Sequence, residues 1–69
     1  MEVPEIINRF TYHAPKDGQP KKYEEIRAKA LELAQLINVL CPSSREKSLA
    51  ITKLEESSFW ANASIARNE

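Results

Sequence analysis

Residues 20–46, PKKYEEIRAKALELAQLINVLCPSSRE, decide the fold. Tyr23, Ile26, Ala30, Leu33, Ile37 and Leu40 recur at spacings of three, four, three, four and three. That alternation keeps them on one side of an α-helix as a heptad-like seam. Leu31, Ala34 and Cys41 widen the stripe, and the remaining positions are filled by good helix formers such as Glu24, Glu25, Ala28 and Gln35. Pro20 suits a first helical turn, where its missing N–H would have no partner anyway. Pro42 ends the run. The spacing therefore predicts a helix over 20–41. Ser43 and Glu46 then stand at the separation of a capping box, in which each side chain satisfies an orphan backbone donor of a new helix. A second helix is predicted over 44–67, a stretch without Gly or Pro. The connection is too short for anything but an antiparallel hairpin.

Working outward, the second helix carries more apolar surface than one partner helix can cover. Ile51, Leu54, Ser58, Ala61 and Ile65 form one stripe, while Leu49, Phe59, Trp60, Ala63 and Ala66 lie on neighbouring sides. Ser57, Ala61 and Ser64 are small at helical spacing and would admit another helix closely. One side is expected to face the first helix and another a second copy of the chain.

Length points the same way. With 69 residues the chain makes one domain, 1–69. A domain of this size buries only about 60% of the surface its unfolded chain exposes. Small folds compensate with disulfides, metals or oligomerisation. Cys41 is the only cysteine and His13 the only histidine, so neither an internal disulfide nor a four-ligand zinc site is available. Oligomerisation remains. The fold class expected is all-α: an antiparallel two-helix hairpin with an extended N-terminal arm over 1–19, assembled into a helical homo-oligomer. A lone cysteine suits a reducing compartment. Ten basic and ten acidic residues cancel, which argues against polymeric nucleic acid as a partner. No apolar run approaches the roughly 20 residues of a membrane span, and the start MEVPEIINRF does not read as a secretory signal. A soluble, cytosolic protein without membrane contact is expected.

The arm holds the chemistry. Arg9-Phe10-Thr11-Tyr12-His13 places aromatics and cations in a short segment whose alternation suggests extended backbone, before an Asp17-Gly18 turn. Such a segment can stack on a base with cations near phosphate. The plainer reading has Phe10 pinning the arm onto the hairpin, and it is preferred for Phe10; for Tyr12 the two readings balance. His13 has no nucleophile or carboxylate partner in a catalytic pattern, so a hydrogen-bonding role is expected. Arg27 and Lys29 lie off the seam, where most charges are merely solvated. Trp60 and Asn62 fit interface core plus a polar contact near a helix end. Arg67 favours the helix dipole and is also placed to reach a ligand. No Ser-His-Asp set, phosphate-binding Gly loop, metal cluster or carboxylate pair is visible, so no catalysis, no cofactor and no metal are expected. Read from its residues alone, the chain is an oligomeric helical binding module.

Three runs go further: FTYHAP at 10–15, CPSSREKSLA at 41–50 and TKLEESSFWANASIARN at 52–68. In this order and spacing they resemble a family of small phage anti-CBASS proteins, the cyclic-oligonucleotide sponges of the anti-CBASS protein 2 type. The resemblance runs from Arg9 onward and leaves out residues 1–8. It implies a helical homohexamer, working in the cytoplasm of an infected bacterial host. Such a protein binds cyclic di- and trinucleotide messengers without cleaving them and so blocks CBASS effector activation. The implied partners are cyclic dinucleotides such as cGAMP and cyclic trinucleotides such as cyclic tri-AMP, held in separate pockets between protomers. For the dinucleotide pocket it implies base stacking by Tyr12 and a phosphate contact from Arg27 or Lys29, with Phe10 and His13 beside them. For the trinucleotide pocket it implies Arg67, with Asn62 as a further contact. The alternative is a small structural or interaction protein of a phage with no small-molecule ligand. Tyr12 beside cations distinguishes the two, because a pure scaffold has no use for it.

Overall fold

The computed structural model describes residues 2–69. It contains three helices, α1 over Val3–Arg9, α2 over Gln19–Leu40 and α3 over Arg45–Asn68, and no strand among the described residues. The hairpin expected from the seam and Pro42 is present. The Nζ of Lys47 near the start of α3 donates to the carbonyl of Asn38 near the end of α2 (2.9 Å). At the other end, Gln19 opens α2 and its Nε2 donates to the carbonyl of Ile65 in the last turns of α3 (3.4 Å). The two helices are thus antiparallel along their length. Their bounds fall one residue from expectation at each end, with α2 at 19–40 rather than 20–41 and α3 at 45–68 rather than 44–67.

Two local expectations are corrected. The N-cap of α3 is Ser44, not Ser43: its hydroxyl accepts from the Lys47 N–H at 3.1 Å. Position 47 carries Lys, so no reciprocal carboxylate closes a capping box, and Glu46 serves instead as the acidic residue of the first turn. The second correction is the lead. Residues 3–9 form a helix rather than part of an extended arm. Pro4 occupies its first positions, where proline is tolerated. Glu5 and Arg9 pair one turn apart at 3.3 Å. Between α1 and α2 the stretch from Phe10 to Gly18 is irregular.

The hairpin buries little on its own. The stripe of Tyr23, Ile26, Ala30, Ala34 and Ile37 meets Ile51, Leu54, Ser58, Ala61 and Ile65, all half-buried. No hydrophobic side chain is fully buried among the described residues. The Cα envelope measures 44 × 29 × 12 Å, the thickness of a single helical layer, whereas a domain core ordinarily lies between two layers. The radius of gyration is 15.2 Å, against about 11 Å for a globular chain of this length. The accessible surface is 5706 Å², against about 4400 Å² for a globular monomer of this mass. The chain is a flat hairpin with both broad faces open.

Candidate functional site

The irregular segment shows its aromatics to solvent. Phe10 is 86% and Tyr12 83% exposed. Phe10 therefore does not pin the arm onto its own hairpin, contrary to the plainer reading of the sequence. The segment is shaped by short-range bonds. The Thr11 hydroxyl donates to the Ile7 carbonyl, capping the end of α1. The Nε2 of His13 lies 2.8 Å from the Asn8 carbonyl. A carbonyl can only accept, so this ring nitrogen carries the proton. His13 thus has the hydrogen-bonding place expected of it, and its backbone neighbour Tyr12 is left with a free ring face.

Each broad face of the hairpin carries a groove. The first is about 650 Å³, with Tyr23, Arg27 and Leu31 from α2 facing Glu55, Phe59 and Asn62 from α3. The second, about 400 Å³, lies on the opposite face and is lined by Lys29, Leu33, Ser57 and Ala61. Arg27 and Lys29 are two residues apart, so helical geometry sends them to different faces. Lys29 also pairs with Glu32 at 3.4 Å. Arg27 has no ion pair among the described residues. Asn62 shares its groove with Arg27 and not with Arg67, although the resemblance grouped it with the latter. Its Oδ1 is buried and without a hydrogen-bond partner among the described residues. Such an orphaned acceptor costs about 1–3 kcal/mol, which a donor from outside the chain would offset.

Arg67 lies on a third surface, a hollow of about 440 Å³ lined with Phe59, Trp60, Ala63 and Glu56. Trp60 is 62% and Phe59 64% exposed. Phe59 borders both this hollow and the first groove, so the two cations Arg27 and Arg67 flank one aromatic edge.

One polar residue that the sequence reading passed over is Gln19. It is 2% exposed, the one buried residue among those described. Its Oε1 accepts from the Lys16 N–H (3.0 Å) and the Tyr23 hydroxyl (3.4 Å). Its Nε2 donates to the Ile65 carbonyl and to Glu69 Oε1, each at 3.4 Å. Lys16 and Lys22 also reach Glu69 through their ammonium groups. The Lys22 hydrogen bond, with smaller help from Gln19 and the Lys16 charge, holds the Glu69 carboxyl below its ordinary value of 4.5. Gln19 between Gly18 and Pro20 reads as turn sequence, and nothing local announces its burial. The described residues bring no three His, Cys, Asp or Glu side chains together in a way that could hold a metal.

The described residues thus form a helical hairpin with open grooves, exposed aromatics and cations outside any ion pair. A family model described as "Acb2/Tad1, hairpin domain" matches residues 2–66, and the chain belongs to that family. The match takes in residues 2–8, which the resemblance had left outside, in keeping with their helical structure. Membership is consistent with the anti-CBASS sponge role. No curated protein and no solved structure matches the chain. No helix among the described residues is long and apolar enough to cross a membrane.

Proposed function

We propose that this chain sequesters cyclic di- and trinucleotide messengers without cleaving them, in pockets completed by further copies of itself, and so prevents CBASS effectors from being activated. The observation that carries this reading is Tyr12: a nearly fully exposed ring on a short segment held in shape by backbone contacts, with no packing duty in its own chain. A base has a π-face to offer it, and base–aromatic stacking contributes about 1–3 kcal/mol per base. Arg27, unpaired at the rim of a groove, is the phosphate contact preferred over Lys29, which already has Glu32. Arg67 beside Trp60 and Phe59 supplies a cation and aromatic faces at a second place, suited to the larger ring.

The assembly is part of the proposal. The surface exceeds that of a globular monomer by about 1300 Å², while a standard interface covers about 800 Å² per partner. An excess of that size is enough for at least one full interface with another copy, and the hexamer is the assembly proposed. An isologous contact also presents two copies of Tyr12 and Arg27 to a ligand that is itself close to two-fold symmetric. The site of action is the cytoplasm of the infected host, where the messengers are made.

The test is incubation with a cyclic dinucleotide or trinucleotide, removal of free ligand, denaturation, and mass analysis of what is released. A sponge returns the messenger intact. A linear product would establish an enzyme, and an absence of captured ligand would leave a scaffold.

A further inference from the structure

We infer that Gln19 is a positioning residue: its buried amide fixes the segment that carries Tyr12, and so sets the affinity for the base stacked there. The consequence for affinity rests on the function proposed above; the positioning itself does not.

The hydrogen bonding of residues 2–17 to the hairpin is concentrated at one residue. Among the described residues, every hydrogen bond between this stretch and the hairpin involves Lys16. Its N–H donates to Gln19 Oε1, its carbonyl accepts from the Gln19 N–H at 3.1 Å, and its ammonium reaches the Glu69 carbonyl. The other bonds of the segment, from Thr11 and His13, run back to α1. Apolar packing adds little beside them: Val3, Ile7 and Phe10 are more than half exposed, and Ile6 is 42% exposed. The hydrogen bonds that join α1 and the aromatic segment to the hairpin therefore pass through Lys16, and Lys16 is bonded mainly to Gln19.

The amide is the group suited to this. Lys16 N–H can only donate and the Ile65 carbonyl can only accept, so the orientation of the Gln19 amide is dictated by its partners. Oε1 must face the segment and Nε2 must face α3. A single buried side chain thereby ties the aromatic segment, the start of α2 and the last turn of α3 together. Buried polar hubs of this kind rigidify when every atom is satisfied, and both ends of this amide are.

Two substitutions separate the halves. Gln19→Met keeps the length and removes both functions. Gln19→Glu keeps the acceptor for Lys16 but loses the donor, and sets a carboxylate against the Ile65 carbonyl and Glu69. Each variant is compared with the parent by amide hydrogen exchange without ligand, and by titration with a cyclic dinucleotide. In Gln19→Met the Lys16 amide should exchange at least about tenfold faster. If the placed segment falls to about one molecule in ten, the dissociation constant rises about tenfold, and adding Tyr12→Ala should weaken binding little further. Gln19→Glu should keep Lys16 protected and affinity within about twofold of the parent, while the Glu69 amide, which donates to the Ile65 carbonyl, exchanges faster.

Unchanged exchange at Lys16 in Gln19→Met overturns the inference, as does equal deprotection of Lys16 in both variants. Faster exchange with undiminished binding, in a protein where Tyr12→Ala does weaken it, also overturns it. If the parent captures no cyclic dinucleotide, the proposed function falls, and the exchange data alone decide whether Gln19 places the segment. Should Gln19→Met not fold, Gln19→Glu decides: loss of Lys16 protection there refutes the inference, and its retention beside faster exchange at Glu69 supports it.

Discussion

Trp60 is the only tryptophan in the chain, and in the hairpin it is 62% exposed. A tryptophan presents up to about 250 Å², so a neighbouring copy that covers it removes about 150 Å² from water. At about 25 cal/mol per Å² this stabilises the contact by about 4 kcal/mol. Trp60→Ala is therefore expected to raise the midpoint concentration of assembly by roughly 10²–10³-fold, since 1.4 kcal/mol is about a factor of ten. The helices of the isolated hairpin should be almost unaffected, because the side chain packs against little within its own chain. Sedimentation across a dilution series measures the midpoint, and circular dichroism checks the helices. The parent carries its own reporter as well: indole emission should move to shorter wavelength as concentration drives copies together. Emission that stays solvent-like in a preparation whose mass is oligomeric would show that Trp60 lies outside every contact. The face bearing Phe59, Trp60 and Arg67 would then be open in the assembly.

Ser44→Ala should cost about 1 kcal/mol in urea unfolding through loss of the cap to Lys47, whereas Ser43→Ala should be near neutral; the reverse order would restore the cap to Ser43. Tyr12→Ala should weaken cyclic dinucleotide binding by about 1–3 kcal/mol per stacked base and spare the trinucleotide, and Arg67→Ala should do the opposite, both read by calorimetry on assembled protein. Because the Glu69 carboxyl is held below its ordinary 4.5, its ties to Lys22 and Gln19 contribute above that value and are lost as pH falls through the lower folded-state value. Protection of the Glu69 amide, measured against its intrinsic exchange rate at each pH, should fall across that acid window and less so in high salt, and Glu69→Gln should abolish this change in protection.

The hairpin was legible because its signals are local and redundant: a heptad seam, a proline stop and a serine cap within one span of sequence. The cap slipped by one residue because adjacent serines offer two overlapping caps, and side-chain geometry, not spacing, chose Ser44. The helix at 3–9 was hidden by its brevity, although Pro4 and the Glu5–Arg9 spacing announce it in retrospect. The opposition of Arg27 and Lys29 was available from helical geometry alone. The company of Arg27 and Asn62 was not, since it depends on how two helices register across the hairpin. Gln19 was beyond reach for a similar reason. Its burial comes from the far end of α3 folding back over it, forty-six residues along the chain.

The flat, coreless shape also bears on inheritance. When folding and site-building both draw on several copies, a defective chain does not stay silent beside a sound one. On the proposed assembly, it would enter mixed assemblies and spoil contacts and pockets that its normal neighbours help to form. Variants that keep one face intact while altering the other should therefore act dominantly when two alleles are expressed in the same cell.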